Sequence, residues 1–276
     1  MIKTFQALSG LLLLLGAAVA YATPEEDRLR LVIYFKTRYP DVKPENYNYG
    51  ALAFDPDSKA QYDAIMEFPP FVEEIEKGRK LWKTPFRNGK TYAECLPSGG
   101  RMIAGNYPMF DEAKGKVVTL EDVINICRVA NGDEAYKLDD MKTMGLLTSY
   151  VRTLSDGMKM NIRVDGPAAL KAYEDGKQTF FARKGQLNVS CANCHIDHAL
   201  DHLRSELLSP VTGQATHWPV FRGGDTLVTL QKRYVGCFNS VRQVSDQEGS
   251  PRMNNLEYFH SYLSNGLEMK SSVFRK

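Results

Sequence analysis

Neither sign of charge dominates this sequence: 35 lysines and arginines face 33 aspartates and glutamates, a formal net charge of +2 over 276 residues. A broad basic field of the kind that holds nucleic acid or an anionic membrane is therefore excluded. An anionic ligand would have to be met by cations placed locally. Long apolar runs are also missing. The one sustained stretch, from Leu11 to Val19, is shorter than the ~20 residues that a spanning helix needs. Lys3 ahead of it and Ala20-Tyr21-Ala22 behind it give the layout of a secretory signal over residues 1–22 rather than an anchor. The expectation is an exported, periplasmic protein with no membrane span in the mature chain. About 254 residues remain after residues 1–22 are removed, enough for two modest domains.

Cysteine is scarce too, with five in all, and two of them form the most informative feature of the chain, Cys191-Ala192-Asn193-Cys194-His195. Two thiols at this spacing reach the two vinyl groups of a haem, and the histidine that follows falls beneath the iron. A bare C-x-x-C also serves zinc sites and redox dithiols. Zinc needs a second ligand pair, however, and a dithiol needs no trailing histidine. The export signal agrees with covalent haem, which is attached outside the cytoplasm. The motif therefore predicts one covalently bound haem c, held by Cys191 and Cys194 with His195 as an axial iron ligand.

The remaining cysteines are ordered by an internal repeat. Val117-Val118-Thr119-Leu120 precedes Cys127, and Leu227-Val228-Thr229-Leu230 precedes Cys237, each leucine seven residues ahead of its cysteine. Gly89 lies six residues before Cys95, as Gly185 does before Cys191. Leu154-Ser155-Asp156-Gly157 is echoed by Leu263-Ser264-Asn265-Gly266. A long-period repeat of this kind indicates two copies of one domain. In the first copy, Cys95-Leu96-Pro97-Ser98-Gly99 stands where the haem motif stands in the second, without its second cysteine or its histidine. The fold class expected is mainly α, with two tandem cytochrome c-like domains, the first having lost its haem. Cys95 and Cys127 are then expected to form a disulfide, the alternative being two buried thiols.

Apolar spacing predicts helices over Leu120–Val129, Met141–Leu154 and around Leu256–Leu263, with Gly157 and Gly266 as stops. Their methionine and aromatic stripes read as core. Arg163-Val164-Asp165-Gly166-Pro167 has no apolar period and is the natural junction. Residues 23–165 would thus hold an N-terminal extension and the haem-less domain, and residues 166–276 the haem-binding domain. The extension, Thr23–Pro69, is expected to pack on the first domain.

For the second axial ligand the sequence offers Met253, Met269, His198, His202, His217, His260 and Cys237. Met253 is a rival on spacing. The repeat favours Cys237, because a cysteine stands at the matching place in both copies. Arg233 lies four residues earlier, on the same face of a helix, where a guanidinium would lower the thiol pKa and hold an oxyanion. A solvated basic face is the alternative for Arg233 and Lys232.

At this point the chain resembles SoxA, the catalytic cytochrome subunit of the SoxAX complex of bacterial thiosulfate oxidation. The resemblance rests on the tandem halves, the Cys191–His195 motif and Arg233-Tyr234-Val235-Gly236-Cys237-Phe238. It implies that Cys237 is both iron ligand and catalytic sulfur, commonly as a persulfide, and that Arg233 is a substrate-site residue. It further implies an L-cysteine S-thiosulfotransferase activity, joining thiosulfate to a cysteine of the carrier SoxYZ, and a SoxX-like small cytochrome c partner in a heterodimer or larger complex. Lys232 and Arg242 are weaker candidates for the anion, and Asn193 with the His217-Trp218 loop for the partner contact. The sequence departs from two-haem members of the family at Cys95–Gly99 and resembles the single-haem type. The reading from another class is a periplasmic electron-transfer cytochrome with Met253 on iron and no bond-making role.

Overall fold

Side-chain caps mark where the helices begin. In this computed structural model, which describes residues 22–222, 226–270 and the backbone of 274–275, Thr23 and Glu26 form a capping box ahead of α1 (Pro24–Arg38). The signal expected over residues 1–22 lies outside the described residues except for Ala22. Asp55 accepts from the Ser58 amide to start α2 (Pro56–Glu67). Each cap gives an acceptor to a first-turn N–H that has no partner within its helix. After α3 (Val72–Lys83) and the one-turn α4 (Tyr92–Cys95) comes a hairpin of β1 (Met109–Asp111) and β2 (Lys116–Val118). Thr119 and Asp122 box the start of α5 (Leu120–Ala130), matching the predicted helix. The helix predicted from Met141 opens instead with a wide turn, Gly145 N–H donating to Asp140 C=O, before α6 (Leu146–Thr153).

A similar succession then follows. α7 (Gly166–Phe181) leads to a wide turn over Asn193–Asp197 and to two short hairpins. These are β3 (His202–Leu203) with β4 (Glu206–Leu207), and β5 (Val220–Arg222) with β6 (Thr226–Val228). Thr229 caps α8 (Leu230–Ser240) and Ser250 caps α9 (Pro251–Tyr262). The backbone of β7 (Phe274–Arg275) pairs in parallel with β5. The fold is mainly α, and among the described residues no helix is long and apolar enough to cross a membrane.

Two helix crossings frame this arrangement. At Gly78 of α3 a Cβ would lie 2.2 Å from the Leu146 carbonyl oxygen, at the start of α6. At Gly176 of α7 it would lie 1.9 Å from that of Asn255 in α9. Only hydrogen fits at either place, so each helix pair packs backbone against backbone. Cis peptides precede both longer hairpins, at Tyr107-Pro108 and Trp218-Pro219.

The interior of the first half is filled. Cys95 and Cys127 form a disulfide with Cα atoms 5.9 Å apart, closing a separation of 32 residues. Such a loop contributes about 2–4 kcal/mol in the chain-entropy account. Trp82 stacks on Tyr92 at 5.3 Å and 13°, and Phe86 meets Tyr92 edge-on at 4.6 Å. Buried Arg128 donates to the Tyr92 hydroxyl (2.9 Å) and the Glu134 carbonyl (2.8 Å), with its guanidinium over the Tyr136 ring.

The extension departs from the sequence expectation, since its polar ties run mainly to the second half. Lys177 pairs with Asp27 at 2.5 Å, Asn48 Nδ2 donates to the Glu268 carbonyl (3.2 Å), and Ala51 N–H donates to Ser209 Oγ (3.1 Å). At Gly213, φ +86°, a Cβ would be 2.2 Å from the Tyr47 carbonyl oxygen. One apolar core runs through Phe35 and Tyr47 of the extension, Ile124 and Leu147 of the first half, and Tyr173 and Tyr258 of the second. Short-range apolar spacing does not say which half receives the extension.

Candidate active site

The thiols and histidine of the C-x-x-C-H motif are positioned by a local cap. Ser190 N–H donates to Asn193 Oδ1 (3.0 Å), Asn193 N–H donates back to Ser190 Oγ (3.2 Å), and Asn193 Nδ2 reaches Asp197 (2.8 Å). Asn193 is thus occupied in holding the turn. Cys191, Cys194 and His195 line one cavity of about 350 Å³, with apolar wall from Phe180, Leu207, Leu230 and Phe238. His195 Nδ1 is 2.8 Å from the Ser209 carbonyl oxygen. A carbonyl can only accept, so Nδ1 carries the hydrogen and Nε2 keeps its lone pair for a metal. Gln214 Nε2 donates to the same Ser209 carbonyl (3.3 Å), its Oε1 accepts from His260 Nε2 (3.0 Å), and His260 Nδ1 accepts from the Tyr234 hydroxyl (2.7 Å). The Ser209 carbonyl thus orients the His195 ring, and this buried chain packs behind it.

α8 brings the other expected residues to the same cavity. Thr229 caps it through the Lys232 N–H, and Arg233 and Cys237, one turn apart, both line the wall. Lys232 instead faces Glu248 at 3.8 Å, and exposed Arg242 lies off the wall, so neither reaches the cavity. Arg222, at the end of β5, does reach it, as does Lys184. Glu206 of β4 joins Arg222 and Arg233. It accepts a hydrogen bond from Arg222 Nη2, and its other oxygen lies 3.6 Å from Arg233 Nη2. Arg222, Glu206 and Gln214 were not legible as site residues, because each reaches the site through a tertiary contact with no motif around it.

Among the second-ligand candidates, Met253 and Met269 are buried away from the cavity wall, and exposed His198 pairs with Asp201 at 2.9 Å. His260 lines the cavity but is committed to the chain behind His195. His202, His217 and Cys237 also line it.

Burial sets the proton affinities here. It pushes the Cys191 thiol up to about 12, with Cys237 and Cys194 adding to the shift. It lowers His195 against the opposing bond to Ser209, and it lowers His260 to about 3. The Cys237 thiol is also raised by burial. Arg233 and Arg222 pull it back, while Glu206 pushes it up. The guanidinium effect expected at Cys237 is therefore present but outweighed by desolvation.

The residues fit a covalent haem. Two neutral thiols and an Nε2 lone pair share an apolar-walled cavity, and the buried Trp218 Nε1–H on that wall has no protein acceptor. Such an N–H suits a group that brings its own acceptor. Zinc fares worse, because among the described residues no cluster of three or more His, Cys, Asp or Glu side chains is placed to hold a metal ion.

The chain is similar to known proteins over most of its length. The family model "SoxA/TsdA, cytochrome c domain" matches residues 77–160, within the half that lacks C-x-x-C-H. The L-cysteine S-thiosulfotransferase subunit SoxA of Chlorobaculum tepidum is 41% identical over 88% of this chain and 85% of its own length. That of Allochromatium vinosum is 41% identical over 98% of this chain and 96% of its own. A chain of the crystal structure of SoxXA from P. pantotrophus superposes with a TM-score of 0.69 at 31% identity, covering 75% of this chain and 79% of that one. The resemblance carried by the tandem halves, the Cys191–His195 motif and the Arg233–Phe238 stretch thus extends along nearly the whole sequence, and the chain belongs to the SoxA family of L-cysteine S-thiosulfotransferase subunits.

Proposed function

We propose that this chain is the sulfur-transferring subunit of a periplasmic SoxAX-type complex and conjugates thiosulfate to a cysteine of a SoxYZ carrier. The observation that carries the proposal is the meeting of Cys237, Arg233 and the C-x-x-C-H residues on one cavity. Cys191 and Cys194 would hold a single haem c as thioethers, and His195 and Cys237 would serve as ligands to its iron. Such a haem would supply the acceptor for the electrons that the conjugation releases, with a SoxX-like small cytochrome as the onward partner. The net reaction joins a carrier thiol R–SH to thiosulfate as R–S–S–SO₃⁻, releasing one proton and two electrons.

The protein side chains have separate tasks. Arg233 neutralises the incoming dianion by charge-assisted hydrogen bonds. The Cys237 sulfur, or its persulfide, is the covalent intermediate, since such sulfurs are good nucleophiles and good leaving groups. The Ser209 carbonyl keeps His195 in one tautomer, and Gln214 donates to that same carbonyl. The two halves are copies of a cytochrome c-like domain, divided near 165/166, and the first has replaced its haem with the Cys95–Cys127 disulfide and the Trp82–Tyr92–Phe86 stack. A pure electron carrier with Met253 on iron finds no support, because Met253 lies off the cavity wall.

Replacing Cys237 with Met tests the central step. A thioether can still ligate iron but has no S–H and cannot carry a persulfide. Haem content and fold are expected to survive, magnetic resonance to change from thiolate-ligated to His/Met low-spin haem, and thiosulfate-dependent modification of the carrier cysteine to disappear. Arg233→Ala should instead act mainly by raising KM for thiosulfate. Full conjugating activity in Cys237→Met would overturn the assignment.

A further inference from the structure

Two guanidiniums and one carboxylate meet on the wall that carries Cys237. Glu206 spans Arg222 through one oxygen and approaches Arg233, at 3.6 Å, through the other. All three line the cavity. The Glu206 side chain is 43% exposed and sits on a hairpin of only two residue pairs, His202–Leu207 and Leu203–Glu206. Arg204, with φ +59°, makes the tight turn between them. The carboxylate can therefore swing to water without disturbing the core.

A carboxylate across two arginines has the shape and charge of the oxyanion those arginines would bind. We propose that Glu206 is a built-in competitor for the anion site, occupying Arg222 and Arg233 when no substrate is present and reclaiming them after sulfur transfer. The inference rests on the reading of Arg233 as the substrate cation. It adds Arg222 as a second cation and Glu206 as the residue that sets their affinity. The chemistry explains why such a competitor is useful. Thiosulfate enters as a dianion, whereas the sulfonate end of the R–S–S–SO₃⁻ product carries one negative charge. A dianion displaces Glu206 from the arginines, and once the charge on the ligand falls by one, the carboxylate competes successfully and the product leaves. Ambient monoanions are held off by the same competition.

The test needs no turnover. The haem-loaded protein is titrated by calorimetry with sulfate, an unreactive dianion, and with methanesulfonate, a monoanionic sulfonate, at constant ionic strength. Removing one negative charge a few ångströms from the ligand in Glu206→Gln should tighten sulfate by about tenfold and methanesulfonate by about threefold. In an Arg222→Gln background the gain from Glu206→Gln should shrink to below about threefold for sulfate, because its competitor's anchor is gone. Unchanged or weakened sulfate affinity in Glu206→Gln would overturn the proposal. An equal gain with and without Arg222 would overturn it too, since a merely structural hairpin contact has no reason to couple to Arg222 in this way. Because the readout is equilibrium binding, active Cys237→Met would sink the catalytic reading while leaving this result to stand or fall by itself.

Discussion

Gly176→Ala offers a quantitative check on how the cavity is framed. The added Cβ would stand 1.9 Å from the Asn255 carbonyl oxygen, 2.6 Å from its carbon and 2.9 Å from the Phe259 Cβ. Ordinary contact requires about 3.4 Å, so α7 and α9 must part by about 1.5 Å. Two of the three obstructing atoms are backbone and cannot rotate away. Overpacking of this kind costs about 1–3 kcal/mol, and the better helix propensity of alanine returns up to about 1 kcal/mol. The upper end of the packing cost applies, leaving a net loss of about 2 kcal/mol. Gly236→Ala on α8 is the matched control, since nothing lies within 4 Å of its Cβ. It should gain about 0.5–1 kcal/mol from propensity alone. The same chemical change thus has opposite signs, expected as a fall in Tm of about 4–8 °C for Gly176→Ala and a rise of about 1–4 °C for Gly236→Ala. Thr179 and Phe180 on α7 and His260 on α9 line the cavity, so the haem absorption bands of Gly176→Ala should also shift. Urea melts of the haem-loaded proteins followed by far-ultraviolet circular dichroism decide the matter. A Gly176→Ala stability within 0.5 kcal/mol of the parent would refute the tight-crossing argument.

Two further outcomes are expected. The intact mass of the processed protein should exceed that of its polypeptide by one haem; a second covalent haem would contradict the decayed-first-half reading. Glu257, pushed up to about 8 by burial and by the neighbouring Glu121 carboxylate, should make stability fall as pH rises. The unfolded carboxyl releases its proton near 4.5 and the folded one near 8, so the folded state binds the extra proton between those values. Glu257→Gln should flatten that decline by more than about 1 kcal/mol between pH 5 and 8, read from urea melts at each pH. A parent and variant with parallel pH profiles would show that the buried carboxyl does not titrate in this window.

What the sequence disclosed and what it withheld divide by the range of the interaction. The C-x-x-C-H run is legible because its five residues form one turn, and Ser190 and Asn193 cap it from within the same segment. The start of α5 is legible from the apolar spacing that begins at Leu120, and Thr119 caps it three residues ahead as Thr229 does for α8. Arg233 and Cys237 share the cavity because a helix places residues four apart on one face. Arg222 and Glu206, by contrast, meet across 16 residues through the β3–β4 and β5 hairpins, and Gln214 reaches His260 across 46. No local period encodes such pairs. The destination of the extension is withheld for the same reason: Asp27 meets Lys177 150 residues away, so only the fold reveals which half receives it.

The position of Cys127 connects these two scales. It precedes buried Arg128, whose guanidinium takes the Tyr92 hydroxyl and the Glu134 carbonyl, and Tyr92 in turn carries the stack of Trp82 and Phe86. The corresponding site in the second half is Cys237 followed by Phe238, on the wall of an open cavity. A domain that gives up a large apolar cofactor must refill that volume or lose packing at each lining atom. Aromatic rings and a cross-link between Cys95 and Cys127 do so, on the proposed reading, in the first half, whose helices share the core that runs from Ile124 to Tyr258. On the proposed reading, the first half then remains necessary to the site without contributing a residue to it. Its Asp122 and Val117 accept from Asn254 of α9, which lies beside the α7 crossing that shapes the haem cavity.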